Sequence, residues 1–373
     1  MRGFSLGKIA GFEVNIDWSW LIVFFLVIYS LAVYYFPSAN PGFGRALDWG
    51  MGVVAALLLF GSVLAHELMH SVVARRYGID IKGITLFIFG GVSRTKGEPE
   101  TPKVEFYMAI AGPLTSFAIA AVFYAVTYVG KAAGFPRPAV AITAYLATIN
   151  LILGAFNLVP GFPLDGGRVL RSALWRWLGS LEMATRYASY VGQGFGYLLM
   201  AFGFSDMLRG AIISGIWLIF IGWFVAGAAR SSYEQVLLRQ ALSGVEVERV
   251  MTTDVPTVQP QVTVDDFIHN YLMRHEFACY PVVENEKVKG VVGIDEVRSL
   301  PREQWATVTV GEIAQPVEEE IRVGRKDDAW DALLKLATGD TRRLLVMHGG
   351  ALDGTVSQEN ILRLVRTKMQ LGV

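Results

Sequence analysis

Between Gly61 and Ala74 an apolar run carries His66-Glu67-Leu68-Met69-His70, flanked by Leu57, Leu58, Leu59, Phe60, Val63 and Leu64 before it and Val72 and Val73 after it. In a helix, positions i and i+4 share one face, so the imidazoles of His66 and His70 converge on a single point. Glu67 lies beside them, within reach of a water held there. The flanks have the composition of a bilayer-spanning segment. Ionisable side chains at membrane depth are costly unless they do something, so this stretch constrains the fold to one that shelters a polar site inside an apolar helix bundle.

Six apolar segments, at about 18–36, 51–74, 105–129, 139–160, 188–204 and 210–229, approach or exceed the length of a membrane helix. The fifth is short and glycine-rich. The first is long enough to be a retained span rather than a cleaved signal peptide. With a cytoplasmic N-terminus, twelve Lys and Arg in the short connections fall inside, among them Arg75, Arg76, Arg168 and Arg171, against Arg45, Lys131, Arg137 and Arg209 outside. That bias predicts a multi-pass protein of the cell membrane with both termini cytoplasmic. His66 then lies about 15 residues, or roughly 22 Å, along the second span and nearer the cytoplasmic face.

Two stretches between the spans break the helical pattern. Gly3–Asp17 has partial alternation with glycine turn signals, which predicts a short hairpin. Ile79 to Ser93 is β-branched and aromatic and contains Gly90-Gly91, which predicts strands. An unpaired edge there cannot face lipid, so it is either a covered structural hairpin or an edge open to an extended peptide.

The composition, 53% hydrophobic with mean hydropathy +0.41, is uneven, because charge crowds into the last third. This predicts a membrane domain over 1–230, a helical linker over 231–246 and a soluble part over 247–373. The soluble part repeats a plan of Val/Thr-rich opening, short helix, strand pair and helix with a period of about 60 residues, dividing it into 247–306 and 307–373. Its first helix is expected from Val264 to His275 and a later one from Asp327 to Thr338. The formal net charge is zero and no basic stretch carries interleaved aromatics, so nothing points to nucleic acid. Cys279 is the only cysteine, which excludes an intrachain disulfide and a cysteine zinc site.

A catalytic zinc takes three protein ligands, and His269, His275 and His348 all lie in the soluble part. The third ligand is therefore a carboxylate. Asp165, in Pro160-Gly161-Phe162-Pro163-Leu164-Asp165-Gly166-Gly167-Arg168, sits where prolines and glycines break an apolar helix. Glu105 is the next candidate, but a charge at a helix start is ordinary. His66, His70 and Asp165 as zinc ligands with Glu67 as general base specify metal-assisted peptide hydrolysis. Asn157, eight residues before Asp165, is placed either to donate to a developing oxyanion or to make an interhelical hydrogen bond. The competing reading is a divalent-cation transporter or metal sensor, which would spread ligands over several spans.

These residues resemble the site-2 protease family of intramembrane zinc metalloproteases. The likeness runs through His66, Glu67 and His70, Phe89-Gly90-Gly91, Ala111-Gly112-Pro113, and Asn157 through Pro160 to Leu164-Asp165-Gly166. It implies cleavage of a membrane-tethered protein that releases a cytoplasmic regulator, with the Gly90-Gly91 region in a small membrane-associated sheet that engages substrate as an added strand. The tail resembles a pair of cystathionine-β-synthase (CBS) domains, which implies regulation, adenine nucleotides such as ATP, and homodimerisation. Such motifs commonly show Ser or Thr followed three residues later by Asp; here the positions hold Gly293 and Glu296, then Ser357 and Asn360. The expected architecture is a polytopic α-helical membrane domain of about six transmembrane helices with a small membrane-associated β-sheet, followed by an α/β tandem CBS pair.

Overall fold

The structure, a computed structural model, describes residues 3–87, 90–95, 99–274, 279–285, 287–339, 341 and 343–371, with the side chains of residues 82, 92–95, 338 and 369 outside it. Ile88, Phe89 and His275, which the sequence reading used, lie outside the described residues. The chain forms two compact units, Met1–Glu234 and Gln235–Val373.

The first unit opens with a hairpin of β1 (Gly3–Ile9) and β2 (Phe12–Asp17). Ala10 and Gly11 connect them with φ of 52° and 83°, the two positive values that a tight right-twisted hairpin turn requires. β3 (Ile81–Phe87) pairs parallel with β2 and antiparallel with β4 (Gly90–Thr95), giving the order β1-β2-β3-β4. Phe12, Val14, Ile16, Ile84 and Leu86 are buried, the alternate residues of the two central strands. β4 is left as an edge.

Asp17 caps α1 (Trp18–Ser30), accepting from the Ser19 amide at 3.0 Å. The helix continues through a π turn, Leu31–Tyr35, into α2 (Phe36–Ala39). The long helices α3 (Arg45–Arg76), α4 (Pro102–Ala132) and α5 (Arg137–Asn157) follow. Thr101 and Pro102 start α4 with a side-chain cap and a proline at the first position, where no amide is missed. Ile28, Leu31, Phe36, Met51, Ala55, Tyr145 and Leu146 make the apolar core shared by α1, α2, α3 and α5. The unit closes with α6 (Asp165–Leu178), α7 (Leu181–Leu208) and α8 (Ile212–Leu242), the last running into the second unit.

Among the described residues five helical segments are long and apolar enough to cross a membrane: Trp18–Ala39, Arg45–Arg76, Pro102–Ala132, Arg137–Asn157 and Ile212–Leu242. The expected fifth segment, 188–204, is the exception. It belongs to α7, which at 28 residues is longer than its apolar run suggested. Its glycines face a neighbour: Gly196 sits against Gly222 and Ala226, and Gly203 against Ile219, so α7 and α8 approach at backbone distance.

The second unit has a five-stranded sheet in the order β5-β6-β9-β8-β7, with β5 (Cys279–Glu284), β6 (Lys287–Gly293), β7 (Arg322–Val323), β8 (Arg343–His348) and β9 (Ala351–Ser357). Its helices are α9 (Val264–Phe267), α10 (Ile294–Arg298), α11 (Val310–Ile313), α12 (Ala329–Thr338) and α13 (Gln358–Leu371). α9 passes into a π turn, Ile268–Leu272, and α12 starts after Asp328, whose carboxylate caps it rather than joining it. Two cores mirror the repeat. Val258, Val264, Phe267, Tyr280, Val282, Val292 and Val310 form one; Val323, Leu333, Leu344, Val346, Val356 and Ile361 form the other. Leu242, Val245, Val247 and Val250 join the second core, so the opening of the first repeat packs within the core of the second.

Candidate metal centre

His66 and His70 lie one turn apart on α3, 4% and 9% exposed, with ring centroids 4.9 Å apart. Asp165 is the first residue of α6, placed there because α5 ends at Asn157 and the Pro/Gly-rich segment turns the chain back. Its Oδ2 lies 3.1 Å from Nε2 of His66 and 3.2 Å from Nε2 of His70. The far ring nitrogens are held by α4: Nδ1 of His70 donates to the Met108 carbonyl at 2.6 Å, and Nδ1 of His66 meets the Ser116 hydroxyl at 2.9 Å. The Met108 carbonyl fixes Nδ1 of His70 as the protonated nitrogen and leaves its Nε2 lone pair facing Asp165, and the Ser116 hydroxyl, able to accept, suits the same tautomer at His66.

The three residues fit zinc. A tetrahedral ion with bonds near 2.05 Å sets its ligand atoms about 3.3 Å apart, close to the observed separations. The approach of α4 is equally specific, since a β-carbon at Gly112 would collide with Nε2 of both histidines. Gly91, on edge strand β4, packs against the side chain of Glu67 so closely that a β-carbon there would collide with its Cγ. The sheet edge therefore runs beside Glu67, and Gly90 precedes Gly91 at the strand start, paired with Phe87.

Asn157 is the last residue of α5, and its amide donates to Leu153 of its own helix at 3.0 Å rather than to the cluster. Asn150, one face-length earlier, is fully buried and donates to Ser62 of α3 at 3.3 Å. Glu105, read from sequence as an ordinary helix-end charge, is instead 0% exposed and bonded to Arg171 of α6. Ser116, the Met108 carbonyl and Arg171 escaped the sequence reading. Each acts across helices, and no local spacing announces it.

In the second unit Glu296 accepts from the Gly293 amide at 2.9 Å, capping the start of α10. Ser357 donates to Asn360 Oδ1 at 2.6 Å, and Asn360 donates to Thr252 at 3.3 Å. Thr355, two residues before Ser357 on β9, is 2% exposed, and its hydroxyl has no hydrogen-bond partner among the described residues.

Two imidazoles on an apolar α3 and a carboxylate from α6, embedded in a bundle of bilayer-length helices, define a membrane metallopeptidase. The chain belongs to peptidase family M50, whose model matches residues 54–138 and 131–201, and carries a CBS domain matched over 247–303. Rip3 of Mycobacterium tuberculosis strain H37Rv is 38% identical over 96% of this chain and 92% of that protein. Zinc metalloprotease MJ0392 of Methanocaldococcus jannaschii is 31% identical over 96% of this chain and 94% of that one. A solved site-2 protease from the same archaeon is 31% identical, covering 62% of this chain and 95% of the other, with a TM-score of 0.43. This protein is accordingly a zinc metalloprotease of the site-2 type with a CBS-containing tail.

Proposed function

We propose that the chain hydrolyses a peptide bond in or near the transmembrane segment of a membrane-tethered regulatory protein, with His66, His70 and Asp165 as zinc ligands. The observation that carries this is the packing of edge strand β4 on Glu67: an extended substrate pairing with β4 passes beside the base. Zinc bound by these three residues would supply Lewis acidity that brings the pKa of a water towards neutrality. Glu67 takes the proton of the attacking water and passes it to the leaving amine. Asn157 keeps a second amide N–H beyond the one given to Leu153 and offers it to the developing oxyanion.

The tail modulates this activity. Thr252, Thr355, Ser357 and Asn360 form a polar group suited to a ribose and phosphate, and the Thr355 hydroxyl, without a hydrogen-bond partner among the described residues, favours an adenine nucleotide there. At the other motif Gly293 has no hydroxyl where Ser357 has one, so one nucleotide per pair is expected. Homodimerisation through the tail and cytoplasmic termini complete the reading. Co-expression with a single-pass substrate tests it: Glu67→Gln should keep zinc and lose cleavage by about 10²–10⁴-fold. Undiminished cleavage would reject Glu67 as the base.

A further inference from the structure

Glu105 and Arg171 meet in the interior of the first unit. Arg171 is 9% exposed, its Nε donates to Glu105 Oε1 at 2.6 Å and its Nη2 to the same oxygen, and its guanidinium lies 5.1 Å above the Phe162 ring. Arg168, one turn earlier, stands 3.9 Å from that oxygen. As a stabilising device the pair is poor. Both arginine donors converge on one carboxylate oxygen, and Oε2 has no hydrogen-bond partner among the described residues. Apolar side chains of the same volume would fill such a space at least as well.

What the pair does is join α4, which orients the two imidazoles, to α6, which bears Asp165. α4 bears Glu105 and, one and three turns on, Met108 and Ser116, which orient the two imidazoles; between them Gly112 lies against both rings. α6 bears Asp165 and, six residues on, Arg171. A shift of α6 along α4 would move Asp165 away from both Nε2 atoms at once. We propose that Glu105 and Arg171 are positioning residues, a clamp that sets the Asp165 carboxylate at the separation from His66 and His70 that zinc demands. This rests on reading the cluster as a zinc site.

The test is zinc affinity, by chelator competition on the purified full chain in detergent, together with thermal unfolding of zinc-free and zinc-loaded protein. Glu105→Gln and Arg171→Lys should each weaken zinc binding about ten- to a hundredfold, as loss of an outer partner of a metal site does. The gap between zinc-loaded and zinc-free unfolding temperatures should narrow with it. The double variant Glu105→Leu/Arg171→Met guards against simple misfolding. The clamp requires its zinc-free unfolding temperature to stay at or above that of the wild type while its zinc affinity remains weakened. Zinc affinity within twofold of wild type in the double variant would overturn the clamp and leave the pair as filling. A wild-type chain that takes up no zinc would instead remove the zinc site itself, and the clamp with it.

Discussion

Glu67 and Asp165 are two carboxylates in one small volume with different neighbours. Asp165 faces two imidazole nitrogens at 3.1 and 3.2 Å, whereas Glu67 lies under the edge strand at Gly91. Gly112 shows how little freedom the cluster has. Gly112→Ala places a methyl into both Nε2 atoms and should weaken zinc binding at least about tenfold by chelator competition; unchanged affinity would mean that α4 yields. His66, His70 and Asp165 were legible in the sequence because a four-residue helical spacing and a Pro/Gly break are local signals. Glu105 was not. Its burial depends on an arginine 66 residues away on another helix, and a charge in a first helical turn is otherwise unremarkable.

At the scale of elements, β4 and the β9 region give separate predictions. Gly91→Val should push β4 off Glu67 and lower substrate cleavage while leaving zinc content unchanged, measured on the same preparation. If cleavage persists, the β4 edge is not the substrate's path. In the second unit Arg325 grips Asp353 through Nη2 and Nε, each at 2.7 Å, and this guanidinium holds the Asp353 carboxyl below the usual carboxylate range. A group with a lowered folded-state pKa contributes stability above its unfolded value, near 3.9, and loses that contribution as pH falls through the folded one. Asp353→Asn should therefore lower the unfolding temperature of this unit at pH 7, and the difference should shrink as pH falls through the folded-state value. A difference that does not shrink would discount the ion pair. α6 was the element least legible in the sequence, since no apolar run marks Asp165–Leu178, and α7 was read short because glycines at its close approach to α8 dilute the hydropathy that marks a span.

For the whole molecule, the two-part plan was visible in where charge and apolar residues fall along the chain, and the compact units divide at Glu234 and Gln235. The crossing of Val247 and Val250 into the second repeat's core was not visible, since a repeat period says nothing about which core a strand-like opening joins. Large apolar side chains remain on the outside of the first unit, Ile22 at 66%, Tyr128 at 71% and Ile213 at 86% exposed, as lipid contact requires. Reporter fusions should place the C-terminus in the cytoplasm, and a periplasmic or external signal would reverse the assigned orientation. The central claim is that two helices bring His66, His70 and Asp165 to one ion. Metal analysis of the purified chain against Asp165→Ala measures it directly: about one zinc per wild-type chain and a near-empty variant are expected from three-ligand coordination, whereas equal occupancy in both would contradict it.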